Sequence, residues 1–325
     1  MKFVTPFARW NLPAVTVVSA VSLAGCNLQP TPSAPTRASE TQAAKPAPTP
    51  KTQVAISDAN TAKIRLDSTP EIVKAGQPAT WTLQILDKKS GQPVTKFDAV
   101  HEKVLHLALV SKDFSWFTTA HPQYRGDGTF QFAATLPRAG DYRLYADFTA
   151  KTRGREVVQQ DVRVTSPEPL SAAAELKADP LRDGWNLPEK RVTSAPEGQP
   201  SVGGGDAYQV SLSSRPPKIV AGQEVTLHFQ LVNANEKYVS DLQPYQGALG
   251  QCVILSQDGG TYLHPPVLQS DGHTDHTHKA GAGPNVRFVT KFPKAGLYKV
   301  WGQFQHKGKI ISAPFVLNVS KSAPA

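Results

Sequence analysis

The sequence predicts an all-β protein in which one domain plan is written twice. Three observations predict it. Polar and apolar residues alternate with a period of two over most of the chain, as in ATWTLQIL, FQFAATL and YRLYADF. Glycine-bearing turn signals separate these runs: Lys74-Ala75-Gly76, Ser90-Gly91, Asp127-Gly128 and Arg138-Ala139-Gly140. And the stretch Leu105 to Phe148 recurs up to Phe304, with Asp113 matching Asp258, Phe117 matching Tyr262, Gly140 matching Gly296, Tyr142 matching Tyr298 and Tyr145 matching Trp301. Upstream, AGQPATWTLQI (75–85) matches AGQEVTLHFQL (221–231). Two long copies mean a duplicated domain, since solenoid repeats are shorter and more numerous. About seven short strands per copy, with no convincing helical segment, predict two tandem immunoglobulin-like β-sandwich domains behind a disordered N-terminal tether.

Residues 1–25 read as a targeting segment. Lys2 and Arg9 make a basic start and Leu12 to Ala24 an apolar run too short to span a bilayer. The run closes in Leu23-Ala24-Gly25-Cys26, which resembles the bacterial lipobox. The resemblance implies cleavage before Cys26, lipidation of that cysteine, and a membrane anchor at the periplasmic or extracellular face of the envelope. Asn27 after the cysteine favours the outer membrane where the cell has one. The plain alternative is an ordinary signal peptide with a chance cysteine. Residues 26–59 are rich in Pro, Ala and Thr with few large apolar side chains, a composition unable to offset its own ordering entropy.

Domain one then covers 60–166, a linker 167–205, and domain two 206–320 with a His-rich loop at 268–284. Within the linker, SAAAELKAD has the composition for one or two helical turns. Apart from Cys26 the chain has one cysteine, Cys252, so a mature lipidated chain holds no internal disulfide and its domains must stand on core packing. At roughly 110 residues each they are large enough. Cys252 lies in the apolar run CVIL and reads as a small buried hydrophobe. Trp81, Tyr145 and Trp301 fall at core-like strand positions, whereas Trp116, at the tip of DFSWF, is expected on the surface. Tyr142 and Tyr298, each just after a glycine turn, are placed as tyrosine corners.

The formal net charge is +9; loss of Lys2 and Arg9 leaves 33 basic against 26 acidic residues, or +7. With no run of Lys or Arg above two, this reads as a solvated basic surface, and nucleic acid is not an expected partner. No G-x-S-x-G elbow, H-E-x-x-H helix, P-loop or dinucleotide fingerprint is present, so no enzyme class is predicted.

Histidine carries the chemistry that remains. His273, His276 and His278 lie together with Asp271 and Asp275 in the loop, and His264 stands near its start. Imidazoles and a carboxylate at this spacing suit Zn²⁺ or Cu²⁺, which makes His264, His273, Asp275, His276 and His278 a candidate metal set; the alternative is a polar surface loop. Thioether capture of Cu⁺ is disfavoured, because it needs methionines and the only one is Met1. A second candidate pair is His106 and His121. The pattern HLALVSKDFSWFTTAHP…DGTF…GDYRLYADF resembles uncharacterised bacterial exported proteins with tandem immunoglobulin-like domains, the YtkA-like group. That resemblance implies a periplasmic, often metal-associated context and an H-x-H-P motif. Both copies depart from it: domain one has Thr119 at the first motif histidine, and domain two has Pro266 at the second and Gln251 at the place of His106. The function expected is thus a non-enzymatic, lipid-anchored envelope protein that binds a divalent metal, or a structural module that docks an envelope protein partner.

Overall fold

A computed structural model describes residues 60–100, 103–166, 175–181, 186–195, 205–268 and 285–322, and these are all β-strand and turn. The described residues all belong to one compact unit. The first sandwich contains β1 (Ala62–Thr69), β2 (Pro78–Asp87), β3 (Phe97–Asp98), β4 (Leu105–Ser111), β5 (Phe117–Ala120), β6 (Gln123–Tyr124), β7 (Thr129–Thr135), β8 (Gly140–Ala150) and β9 (Gly154–Val164). One layer runs β1-β2-β7-β6; the other runs β3-β8-β4-β5, with β9 on the free side of β8. The second sandwich follows β10 (Lys190–Ala195) with β11 (Ala207–Arg215), β12 (Glu224–Asn233), β13 (Gln251–Ser256), β14 (Tyr262–Leu263), β15 (Val267–Leu268), β16 (Asn285–Lys291), β17 (Gly296–His306) and β18 (Lys309–Val319).

The period of two sets which side chains meet. On β2, Ala79, Trp81, Leu83 and Ile85 turn inward while Pro78, Thr80, Thr82 and Gln84 between them stay exposed or half-buried. Trp81 lies opposite Phe132 on β7, and the two rings stack at 6.1 Å and 9°. In domain two, Phe229 plays the central part, packed against Phe288, Phe304 and Phe315. The tyrosine corners are present in both copies: the Tyr142 hydroxyl donates to the Arg138 carbonyl at 2.8 Å and that of Tyr298 to the Lys294 carbonyl at 2.9 Å. Each corner is entered through a glycine with φ of 136° or 137°, Gly140 and Gly296, a conformation that L side chains resist.

Three features differ from the sequence expectation. Trp116 is buried, 8% exposed, because its indole packs edge-on against Tyr142 and its amide donates to Ser111 Oγ at 2.9 Å. The 167–205 stretch contributes a strand: β10 pairs with both β11 and β18 and so joins the two layers of domain two into one nine-stranded sheet. Of SAAAELKAD, residues 175–179 are described and are not helical. Asp179 instead lies along β18, its amide donating to the Val316 carbonyl and its carboxylate accepting from the Val316 amide.

Strand β4 shows why the two sandwiches form one unit. All seven of its residues are buried, which a strand with one wet face cannot be. Leu105, Leu107 and Leu109 enter the domain-one core, whereas Ala108 and Val110 turn outward into a separate cluster with Phe117, Tyr145, Val157, Val253, Leu255, Tyr262 and Trp301. The outer faces of the β4–β8 and β13–β17 layers therefore lie on each other.

Candidate functional site at the domain seam

The seam is assembled from equivalent residues of the two copies. Ala108 and Val253, Val110 and Leu255, Phe117 and Tyr262, Tyr145 and Trp301 occupy matching strand positions, and all eight are in the cluster. The aromatic contacts are matched as well. Phe117 stacks on Trp301 at 4.5 Å and 15°, and Tyr262 stacks on Tyr145 at 5.4 Å and 23°. Each half of the chain thus presents the same patch to the other, as an isologous dimer interface does. Tyr145 and Trp301 are buried as the alternation implies, but against the opposite domain instead of within their own core.

The duplicated aspartates are turn-builders. Asp113 accepts from the Ser115 amide and hydroxyl at 3.0 and 2.8 Å and from Ser111 Oγ at 2.5 Å; Asp258 accepts from the Gly260 amide at 2.9 Å and from Ser256 Oγ at 2.5 Å. These contacts fix the tight turn after β4 and after β13, and they give these carboxylates a structural role.

Two polar clusters flank the aromatic stacks, and they too occupy equivalent positions. In the first, domain one supplies His106 from β4, Asp147 from β8 and Arg155 from β9, and domain two supplies His264 just after β14. Arg155 holds Asp147 in a two-pronged pair, Nε to Oδ1 at 2.7 Å and Nη2 to Oδ2 at 2.6 Å. His264 Nδ1 lies 3.2 Å from Asp147 Oδ2, across the seam. The His106 ring stands 5.2 Å from that of His264 and 5.8 Å from that of His121, centroid to centroid. His106 Nε2 lies 3.0 Å from the Val100 carbonyl, and Gln246 of domain two reaches His121 Nδ1 at 3.3 Å. In the second cluster the corresponding residues are Gln251 for His106, Gln303 for Asp147 and Thr119 for His264. They close directly on one another: Thr119 Oγ1 donates to Gln303 Oε1 at 2.9 Å, and Gln251 Nε2 donates to Thr119 Oγ1 at 3.0 Å and to Gln303 Oε1 at 2.6 Å.

Burial sets the electrostatics. Removal from water lowers the His106 pKa to about 4, helped by the nearby His264, so its imidazole is neutral at pH 7. Burial pushes the Asp147 carboxyl upward, but the hydrogen bonds and charges of Arg155 and His264 outweigh it and hold the group well below its ordinary value. Burial alone pushes the Cys252 thiol far up, as expected of an inert core cysteine.

Of the histidines singled out from sequence, the structure brings His106, His121 and His264 together. His273, Asp275, His276 and His278 lie outside the described residues, as does Cys26. Asp147, Arg155 and Gln246 were not singled out; the signal for Asp147 was its place two residues beyond Tyr145, on the same face of β8. Among the described residues, no group of three or more His, Cys, Asp or Glu is placed so that it could hold a metal ion.

The fold and the seam define a class: a fused pair of β-sandwich domains joined face to face through a duplicated patch. More particularly, the chain belongs to the family described as a domain of unknown function (DUF8832), which matches it twice, over residues 57–166 and 201–321. No curated protein matches the chain. Among solved structures it is similar to FdeC, described as a broadly conserved Escherichia coli adhesin, at 16% identity over 82% of this chain and 67% of that one, with a TM-score of 0.23. It is similar to invasin, described as a bacterial integrin-binding protein, at 12% identity over 81% of this chain, with a TM-score of 0.21. The adhesin InvE of Yersinia pseudotuberculosis matches at 12% identity over 79%, with a TM-score of 0.21. The chain spans 40% of invasin and 59% of InvE.

Proposed function

We propose that this is a non-enzymatic protein of the bacterial cell envelope, held to a membrane by lipid on Cys26, whose paired sandwiches act as one stiff body that docks an envelope partner. The observation that carries the reading is the seam. Stacked aromatics and hydrogen-bonded clusters fix one domain against the other, so the unit presents its remaining faces in a constant relation. The seam also takes the acid–base side chains out of reach of a substrate: His106 and Asp147 are buried. A cavity of about 370 Å³ beside the linker is lined by Leu181, Leu187, Leu212, Ile219 and Leu317, and its one carboxylate, Asp179, is bound to Lys190 and the Val316 amide. That lining offers no convergent acid–base pair.

The test is made in cells. With Cys26→Ala the protein should leave the membrane fraction. A photo-crosslinker placed at Tyr238 or Ile72, both exposed, should trap a discrete adduct only while the anchor is intact. Membrane retention without Cys26 would refute the anchor, and absence of any adduct at a scan of exposed positions would refute the docking role.

A further inference from the structure

The two copies differ at one edge of the sandwich. In domain one the edges of β1 and β9 are tied directly to each other: the Thr61 and Ala62 amides donate to the Glu156 carboxylate at 2.7 and 3.0 Å. In domain two the matching strands are β11 and β18, and β10 is wedged between them. It pairs with β11 through Lys190 to Thr193 and with β18 through Ser194 and Ala195. Before β10 the linker runs in two stretches. One lies along β18, where the Asp179 amide donates to the Val316 carbonyl at 3.0 Å; the other lies along β11, where the Leu187 amide donates to the Leu212 carbonyl at 2.8 Å. Both stretches, with the strands beneath them, line the cavity of about 370 Å³.

That volume falls among those of cavities that hold small ligands, which are mostly apolar with a few polar groups to fix orientation. The floor here is aliphatic: Leu187, Leu212, Ile219 and Leu317 are each at most 6% exposed. Leu181 lines the same hollow but leaves 55% of its surface in water. An aliphatic side chain so placed at a mouth gains from being covered by an apolar ligand.

Charge decides which kind of ligand fits. The carboxylate in this lining, Asp179, is already answered by Lys190 and the Val316 amide. Lys218 lines the cavity too, is exposed, and pairs with no carboxylate among the described residues. An aliphatic floor therefore adjoins one unanswered positive charge, a combination that suits an apolar tail with an anionic head. Domain one carries Ile72 at the position of Lys218, so the charge belongs to the copy that has the wedge.

We propose that this cavity binds a single-chain anionic amphiphile, its alkyl tail against Leu187, Leu212, Ile219 and Leu317 and its carboxylate or phosphate head at Lys218. Free fatty acids and one-chain phospholipids share that chemistry. This goes beyond the docking role and does not depend on it.

The probe is dodecanoate, titrated by calorimetry below its micelle concentration into the untagged chain from residue 26 onward; one molecule should bind. Lauroyl lysophosphatidylglycerol is titrated beside it, and the tighter of the two identifies the source of the ligand. Dodecyltrimethylammonium, with the same tail and the opposite charge, should bind about 10-fold more weakly or worse. Lys218→Ile, which installs the domain-one residue at an exposed position, should weaken dodecanoate about 5-fold and leave dodecanol unchanged. Ser213→Trp, on the half-buried rim, should block every probe, with circular dichroism verifying the fold. Should that variant misfold, a diazirine-bearing fatty acid on the parent should label the peptides that contain Leu181, Leu187 or Leu317. No uptake by the parent, equal uptake of the cationic amphiphile, an unchanged dodecanoate affinity in Lys218→Ile, or label elsewhere would each overturn the proposal. Uptake only after Trp185→Ala would mean that the chain fills its own cavity, and would overturn it as well.

Discussion

The Asp147–Arg155 pair offers the sharpest test of how the seam is held, because domain two shows what the same positions look like without charge. Asp147 corresponds to Gln303, and Arg155 to Ile310. The side chains are 4% and 16% exposed and meet through two charge-assisted bonds. Replacing Asp147 by Gln leaves the guanidinium buried with no counter-charge, an error that costs about 3–5 kcal/mol. Replacing Arg155 by Ile strands the carboxylate and should cost a similar amount. The double variant Asp147→Gln/Arg155→Ile removes both charges and places at these two positions the residues that domain two carries there. Exchanging a buried pair for apolar and neutral groups is close to neutral, so the double variant should lie within about 1 kcal/mol of the parent. The resulting coupling energy, ~5 kcal/mol or more, would be read from urea unfolding followed by tryptophan fluorescence and circular dichroism together. Two outcomes would refute the reasoning. A single variant that costs nothing would mean the pair is solvated in solution. A double variant as unstable as the single ones would mean that the side chains act through shape and not through charge.

Three further outcomes are expected. His106 takes up a proton near its ordinary 6.5 when unfolded but only near 4 when folded, so between those values the unfolded chain binds more protons and stability must rise with pH. The stability is fully present above pH 6.5 and is lost as the pH falls through about 4, by on the order of 3 kcal/mol, in a pocket shared with His121, His264, Asp147 and Arg155; urea midpoints between pH 4 and 7 should show this slope, and His106→Gln should flatten it. Trp301→Ala removes the ring that Phe117 stacks on and that Lys299 covers, and should cost about 3–5 kcal/mol while opening the inter-domain segment to limited proteolysis, whereas Trp81→Ala should cost as much and unravel domain one instead. At Gly302, a Cβ would fall 2.5 Å from the Phe229 ring at the centre of the domain-two core, so Gly302→Val should destabilise by at least about 1–3 kcal/mol in calorimetry, and pairing it with Phe229→Leu should recover part of the loss.

The same comparison of copies explains which parts of the structure the sequence displayed. The strands, their order and the tyrosine corners were legible because they depend on neighbours in sequence: a period of two, a glycine before Tyr142 or Tyr298, and an Asp two residues after a Ser. The seam was less so. In VLHLALV, Leu105, Leu107 and Leu109 announce an inward face, but Ala108 and Val110 on the other face are also apolar, and that second stripe was the available sign that something covers it. Trp116 and the strand Lys190–Ala195 were misplaced for a related reason, since each is fixed by partners distant in the chain: Tyr142 for one, β11 and β18 for the other. The histidines are the most instructive. Aligning the repeats superposes the copies, and each then seems to have lost part of a motif, Thr119 replacing one histidine, Gln251 and Pro266 two others. The folded chain does not superpose the copies; it sets them face to face across a pseudo-two-fold axis. What one copy lacks the other brings, so that His106 of domain one meets His264 of domain two, while Thr119 meets Gln251 and Gln303. An interface between identical halves must carry two like sites; fusing the halves into one chain frees one flank to become a neutral latch while the other keeps its imidazoles.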